Sequence, residues 1–238
     1  MKQIILLATA CITACVSVRA QHVGIGTTTP AFRLDVAGSI NTDSVYRIGG
    51  NTVLTVKGTA NTFTGVQSGI ANSTGTENSA VGYRSLFSNA TGSYNTATGM
   101  EALFANTTGT FNTGIGWHAL RANTTGTANA AMGEALEYNT TGSYNTGLGH
   151  GALYQNTTAD ANTAVGSFAL LSNTTGYSNS AFGVDAMRNN TTGSQNTAYG
   201  VHALYSNTIG RRNTAVGYEA LFYTTSLSSD NTAVGYLS

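Results

Sequence analysis

The segment Asn-Thr-Ala-x-Gly returns through most of this chain at a fixed interval, and that periodicity constrains the fold more than any other feature. Its Asn falls at Asn61, Asn78, Asn95, Asn112, Asn129, Asn145, Asn162, Asn179, Asn196, Asn213 and Asn231. The step is seventeen, except for sixteen after Asn129 and eighteen after Asn213. The full unit reads N-T-A-φ-G-x-x-A-L-x-x-N-T-T-G-x-x, with φ mostly apolar. Ten whole units precede a truncated eleventh. Seventeen residues are too few for the helix pair of a tetratricopeptide or ankyrin repeat. They suit one coil of an all-β, parallel β-solenoid or β-roll: two or three short strands separated by turns, with room for a short helical turn around G-x-x-A-L. Coils of a parallel sheet stack about 4.8 Å apart, so ten of them predict a rod of about 50 Å.

Each column of the repeat, numbered from its Asn, has a physical reading. Position 5 is glycine in every unit: Gly65, Gly82, Gly99, Gly116, Gly133, Gly149, Gly166, Gly183, Gly200, Gly217 and Gly235. A glycine so fixed marks positive φ or a backbone approach that a Cβ would block. Side chains alternate along a strand, so positions 2 and 4 share one face, and positions 3 and 5 the other. Positions 8 and 9 add an apolar pair, as in Ala119-Leu120. The block Asn123-Thr124-Thr125-Gly126 reads as a turn with its glycine in the left-handed region. Stacked Asn side chains can pass amide hydrogen bonds along the column and fix the register. No coil buries its own faces, so the array depends on contacts between neighbours. The short and long steps are expected in turns, near Gly133–Ala135 and in the Thr224–Asp230 region.

Composition narrows the function. Only 8% of the 238 residues are charged, with 10 Lys and Arg against 10 Asp and Glu. That excludes the cationic stripe of a nucleic-acid binder and the charge runs of a disordered tail. Residues 1–20 read as an export signal: Lys2, an apolar stretch from Ile4 to about Val18, and small residues at Val18 and Ala20 before cleavage. That stretch is too short for a transmembrane helix, so no membrane span is expected in the mature chain. Cleavage after Ala20 leaves 8 cationic against 10 anionic side chains, a charge of −2. Both cysteines, Cys11 and Cys15, lie in this segment, so the mature chain has no thiol chemistry. Ile12-Thr13-Ala14-Cys15 also resembles a lipoprotein cleavage box, which would leave a lipid anchor on Cys15.

Residues 21–60 form a separate small β module, with strands expected at Arg33–Val36, Ser44–Ile48 and Thr52–Val56 and a hairpin turn at Gly49-Gly50. The stretch VGIGTTTPAFRLDVAGSI, Val23 to Ile40, resembles the opening of bacterial secreted proteins related to phage tail fibres. The repeats, most closely Asn78-Ser79-Ala80-Val81-Gly82 and Asn179-Ser180-Ala181-Phe182-Gly183, resemble the head repeats of YadA-type trimeric autotransporter adhesins. That resemblance implies a parallel β-roll within a homotrimer at the cell surface. The adhesin unit is shorter, and neither a heptad stalk nor a membrane anchor is recognised here. The chain stops within a unit at Ser238, which reads as an end covered by a partner or as a piece of a larger tail-fibre-like protein.

No catalytic, cofactor or metal constellation stands out. His118, His150 and His202 sit at variable positions 6 and 7 and read as solvent-facing turn residues on separate coils. The strings Gly24 to Pro30 and Thr146 to Leu153 lack the lysine of a phosphate loop. The acids do not recur at fixed positions as calcium-binding solenoids require. Triplets such as Asn106-Thr107-Thr108 match a glycosylation acceptor only because the repeat is built of Asn and Thr. Two features remain. Position 10 carries a stripe, Phe87, Phe104, Tyr154, Tyr205 and Phe222 with Arg121, Leu171 and Arg188, suited to a carbohydrate or protein ligand, to a trimer interface or to packing beneath a loop. Position 2 carries a Thr column, Thr62, Thr96, Thr113, Thr146, Thr163, Thr197, Thr214 and Thr232, that would suit ice binding. It is broken by Ser79, Ala130 and Ser180. The sequence thus points to a non-enzymatic, exported, adhesin-like or fibre-like rod, with an ice-binding solenoid as the alternative.

Overall fold

The computed structural model describes residues 23–25, 34–36, 45–48, 50–55, 59–223 and 228–238. The leader with Cys15, Pro30, Gly49 and the core of the Thr224–Asp230 insertion lie outside the described residues. The chain divides into two compact units, residues 1–43 and 44–238. In the first, β1 (Val23–Ile25) pairs in parallel with β2 (Leu34–Val36); β1 has no counterpart among the expected strands. In the second, β3 (Val45–Ile48) and β4 (Asn51–Thr55) form the expected antiparallel hairpin. β4 then pairs antiparallel with β5 (Thr62–Thr64), the first repeat strand. The hairpin therefore continues the repeat sheet and occupies the outer edge of β5, leaving β3 as the sheet's end strand.

From β5, ten more strands at the same phase run to β15 (Thr232–Val234), each pairing in parallel with the next. The whole sheet has 13 strands in sequence order. This is the parallel β-solenoid that the seventeen-residue interval requires. Each coil holds a single three-residue strand, at positions 2–4, rather than two or three, and no helical turn forms at G-x-x-A-L among the described residues. The reason is local. Position 7, position 9 and position 17 of the coils fall in the left-handed region, as in Arg84 (φ 55°), Leu86 (φ 48°) and Tyr94 (φ 59°). Three such reversals bend the backbone out of an extended path. The amides so turned bond along the stack: Leu86 N–H donates forward to Ala102 O at 3.0 Å, while Arg84 and Tyr94 donate back to Val66 O and Thr76 O, each at 3.0 Å.

The interior is thin and half polar. Position 3 alanines, position 8 alanines and position 9 leucines are buried along the stack, as are the Asn of positions 1 and 12. The first coil exchanges volumes: Phe63 replaces Ala at position 3 and Gly69 replaces Leu at position 9, where a Cβ would strike the Phe63 ring. Both Asn columns are hydrogen-bonded from coil to coil, up to Asn207, which donates to Asn190 Oδ1 at 2.8 Å but whose own Oδ1 has no partner among the described residues. In the coil starting at Asn78, the Asn78 and Asn89 amides each donate to Gly92 O at 2.9 Å, and Asn89 also donates to Asn72 Oδ1 of the preceding coil at 2.8 Å. Asn95 N–H donates to Asn78 Oδ1 at 3.0 Å. Burying an amide costs little only when its donors and acceptors are matched in this way.

The position 5 glycines meet both of their expected reasons: φ is positive, and a Cβ on Gly116 would lie 2.7 Å from Gly133 O. The glycine of N-T-T-G departs from expectation. Gly92 and its equivalents are not left-handed; the residue after next, such as Tyr94, takes that conformation instead. Glycine is required there by crowding, because a Cβ on Gly92 would meet the Gly109 carbonyl and its own Asn89 side chain. The shortened coil closes through a changed turn at Gly133, whose φ is 88° against 132° at Gly116.

Candidate interaction surface

Three outward faces follow from this cross-section. The first flanks the glycine corner. Position 4 points outward beside the Thr of position 2, and position 6 points outward just past the glycine. These two columns hold Val81, Tyr83, Met100, Ile115, Trp117, Met132, Leu148, Val184, Tyr199, Val201, Tyr218, Val234 and Tyr236 among the exposed large hydrophobic side chains. They form an apolar stripe along the stack, interrupted by Thr64 and Thr98 at position 4 and by Glu134, His150 and Ser167 at position 6 of three successive coils, the shortened one and the two after it. Aromatic neighbours within it stack: Tyr218 on Tyr236 at 5.3 Å, and Phe182 against Tyr199 at 5.8 Å. Scattered apolar residues on a surface need no explanation, but a contiguous stripe does.

The second face carries positions 7 and 10. Phe87, Phe104, Tyr154, Tyr205 and Phe222 do line up here, but all five are only half-exposed. They are spent on one another and on charged neighbours. Phe87 stacks on Phe104 at 5.1 Å and Tyr205 on Phe222 at 5.0 Å, while Tyr154 meets Tyr138 edge-on at 5.1 Å. Position 7 adds an ionic column. Arg84 reaches Glu101 at 3.1 Å, and Arg121 reaches it at 2.8 Å from the next coil. The histidines are not free turn residues. His118 lies between Glu101 (3.5 Å) and Glu137 (3.3 Å), and His202 between Asp185 (3.6 Å) and Glu219 (3.4 Å). Each sits between acids of the coils before and after it. His150 pairs with Glu134 at 2.9 Å and is more exposed. The Arg121 hydrogen bond, helped by the charges of Arg84 and His118, holds the Glu101 carboxyl below its ordinary range despite burial. Burial pushes Glu137 up, with His118 opposing. Burial also raises the Tyr154 phenol to about 12, aided by its hydrogen bond to Tyr138 and by Glu137 and Glu134.

The third face carries the N-T-T-G turns. Position 13 hydroxyls are committed to the next coil, as in Thr107 Oγ1 to Thr124 O at 3.0 Å. Position 14 is an unbroken exposed Thr column from Thr74 through Thr91, Thr108, Thr125, Thr141, Thr158 and Thr175 to Thr192. The position 2 column is less open, most of it only half-exposed beside the apolar stripe. Asn106 and the Asn of the other N-T-T triplets are fully buried, so the folded protein offers none of these as a glycan acceptor. Among the described residues, no group of three or more His, Cys, Asp or Glu is placed to hold a metal ion, and no helix is long and apolar enough to cross a membrane.

The apolar stripe was open to sequence reading. Position 4 is apolar in most units and must face outward if the alanine at position 3 faces in. The position 7 column, read from unit to unit, likewise spells Arg84-Glu101-His118 and Asp185-His202-Glu219. Comparison with family models, curated proteins and solved structures finds no match to this chain.

Proposed function

We propose that this chain is a non-enzymatic, exported structural rod of an adhesin-like or fibre-like assembly, homotrimeric as the adhesin resemblance implies. It holds weak contact sites for a carbohydrate or protein surface at fixed spacing. The observation that carries the reading is the apolar stripe at positions 4 and 6. A second copy repeats the same side chains at the same coil spacing of about 4.8 Å, so two stripes stay in step along their whole length. Association through this stripe leaves the polar N-T-T-G face outward, where repetition over coils and copies raises avidity without a strong single site.

The test is the mass of the mature chain by light scattering, with Ile115→Glu/Tyr199→Glu as the variant. The expected result is a trimer that the two charges convert to monomer with an unchanged circular dichroism spectrum. A wild-type protein that stays monomeric at tens of micromolar overturns the assembly. The same sample is expected not to inhibit ice recrystallisation. Inhibition that Thr125→Tyr abolishes would replace this reading with an ice-binding one, seated on the position 14 column.

A further inference from the structure

The face bearing positions 7 and 10 repeats one device: an arginine held between an aromatic ring and a carboxylate. The Arg84 guanidinium lies 4.6 and 4.5 Å from the ring centres of Phe87 and Phe104 while reaching Glu101 at 3.1 Å. Arg121 lies 5.6 Å from the Phe104 ring and 2.8 Å from Glu101. Arg188 lies 5.1 Å from the Phe168 ring and 2.9 Å from Asp185. Such a site joins cation–π attraction to a charge-assisted hydrogen bond.

At one place carboxylates occur without an arginine of their own, beside Tyr154 and beside a Phe168 ring that takes Arg188 from the following coil and borders Gly151 of the preceding one. The unit at Asn129 is one residue short, and the next has Gly151 at position 7, so the column of large side chains is interrupted. The gap is a notch of about 180 Å³ lined by Glu134, His150, Gly151, Tyr154, Phe168 and Leu171. Glu137, close enough to act with Glu134 on the Tyr154 phenol, is 5% exposed, and its Oε2 has no hydrogen-bond partner. The two acids face one histidine at the rim, His150, and one within the stack, His118.

We infer that the Gly151 notch is a binding site for an organic cation of the guanidinium class, seated against Phe168 and Tyr154 and neutralising Glu134 and Glu137 as Arg84 and Arg121 neutralise Glu101. All of its parts belong to one chain, so the site stands whether or not copies associate. The cation could be a free small molecule or an arginine side chain of a polypeptide. The chemistry is the same, and two probes distinguish them: agmatine and N-acetyl-arginine amide.

Saturation-transfer NMR on the purified protein tests this, with N-acetyl-citrulline amide as the neutral isostere. The expected result is transfer to the side-chain methylenes of both guanidinium probes at millimolar concentration and none to the citrulline compound. Glu134→Gln/Glu137→Gln is expected to weaken binding about tenfold, as charge-assisted bonds become neutral ones. Phe168→Leu, which leaves the carboxylates in place, is expected to weaken it about threefold through the lost ring face. Failure of agmatine alone assigns the site to polypeptide arginine; failure of the amide alone assigns it to small cations. Absence of transfer to either, equal transfer to the citrulline compound, or full binding in a folded double variant overturns the proposal.

Discussion

At the residue scale, the coil depends on backbone conformations that ordinary side chains avoid. Placing a non-glycine residue in the left-handed region costs on the order of 1 kcal/mol or somewhat more. Three positions in a coil take that conformation. Position 9 shows the compromise. Leu153 fills the core and tolerates a φ of 52°. A β-branched side chain would not, and the column holds Leu, Met or Gly but never Val or Ile. The N-T-T-G glycine obeys the opposite rule, needing space rather than conformational freedom. One coil breaks that rule with Ala159. There Thr157 N–H reaches Thr174 O at 3.3 Å, against 2.8 Å for Thr140 to Thr157 and 2.9 Å for Thr174 to Thr191. The Cβ is accommodated by opening the stack locally. Ala159→Gly is therefore expected to stabilise the protein by about 0.5–1 kcal/mol, relief of crowding exceeding the entropy cost of glycine. Gly142→Ala should cost about 1–3 kcal/mol. Denaturant midpoints measure both, and a destabilised Ala159→Gly variant would show that the stretched bond stores no strain.

At the level of strand, turn and face, the strand was the legible part. Asn-Thr-Ala-φ-Gly alternates sides, and the structure buries Ala97 and exposes Thr98 as that alternation requires. The turns were less legible, because their left-handed residues are Arg, Leu and Tyr rather than Gly or Asn. The position 10 stripe was legible as a column, with a ligand face, a trimer interface and packing beneath a loop as its readings; the partners that half-bury it were not legible. Each ring lies against another ring of a neighbouring coil, and at Phe87 and Phe104 the Arg84 and Arg121 guanidinium groups lie over the rings as well. That face also sets a pH dependence. Glu101 titrates below its ordinary range, so its contribution is complete above that range and is lost as pH falls through its folded value. Glu137 is raised, so its contribution is present in acid and is lost as pH rises through its folded value. Glu137→Gln should therefore unfold at a higher temperature than wild type at pH 8, and the difference should close toward pH 4. Thermal melts across that range check it. A variant less stable than wild type at pH 8 would mean that the His118 pairing outweighs the burial of the carboxylate.

For the whole molecule, stability is a property of the stack, because each coil is completed by its neighbours. The Asn columns make this measurable. Asn123 donates to Asn106 Oδ1 and accepts from Asn139 Nδ2, each at 2.8 Å, so its removal takes one partner from a buried amide on either side. Gly126 O keeps its bond from Asn112 at 2.8 Å. Leaving two buried groups short by one bond predicts a loss of about 2–4 kcal/mol for Asn123→Ala. Asn72 occupies the same column in the first coil, where Asn89 is its one neighbour along the stack, so Asn72→Ala should cost about half as much. The two variants delete the same side chain from the same local turn, and only their place in the array differs. Equilibrium urea unfolding is expected to order them wild type, Asn72→Ala, Asn123→Ala, with the central variant alone resolving into two transitions as its halves uncouple. Equal losses at the two sites would mean that each Asn serves only its own coil, through the glycine carbonyl of its own turn. The register of the stack would then rest on the backbone ladder and the leucine column rather than on the amides.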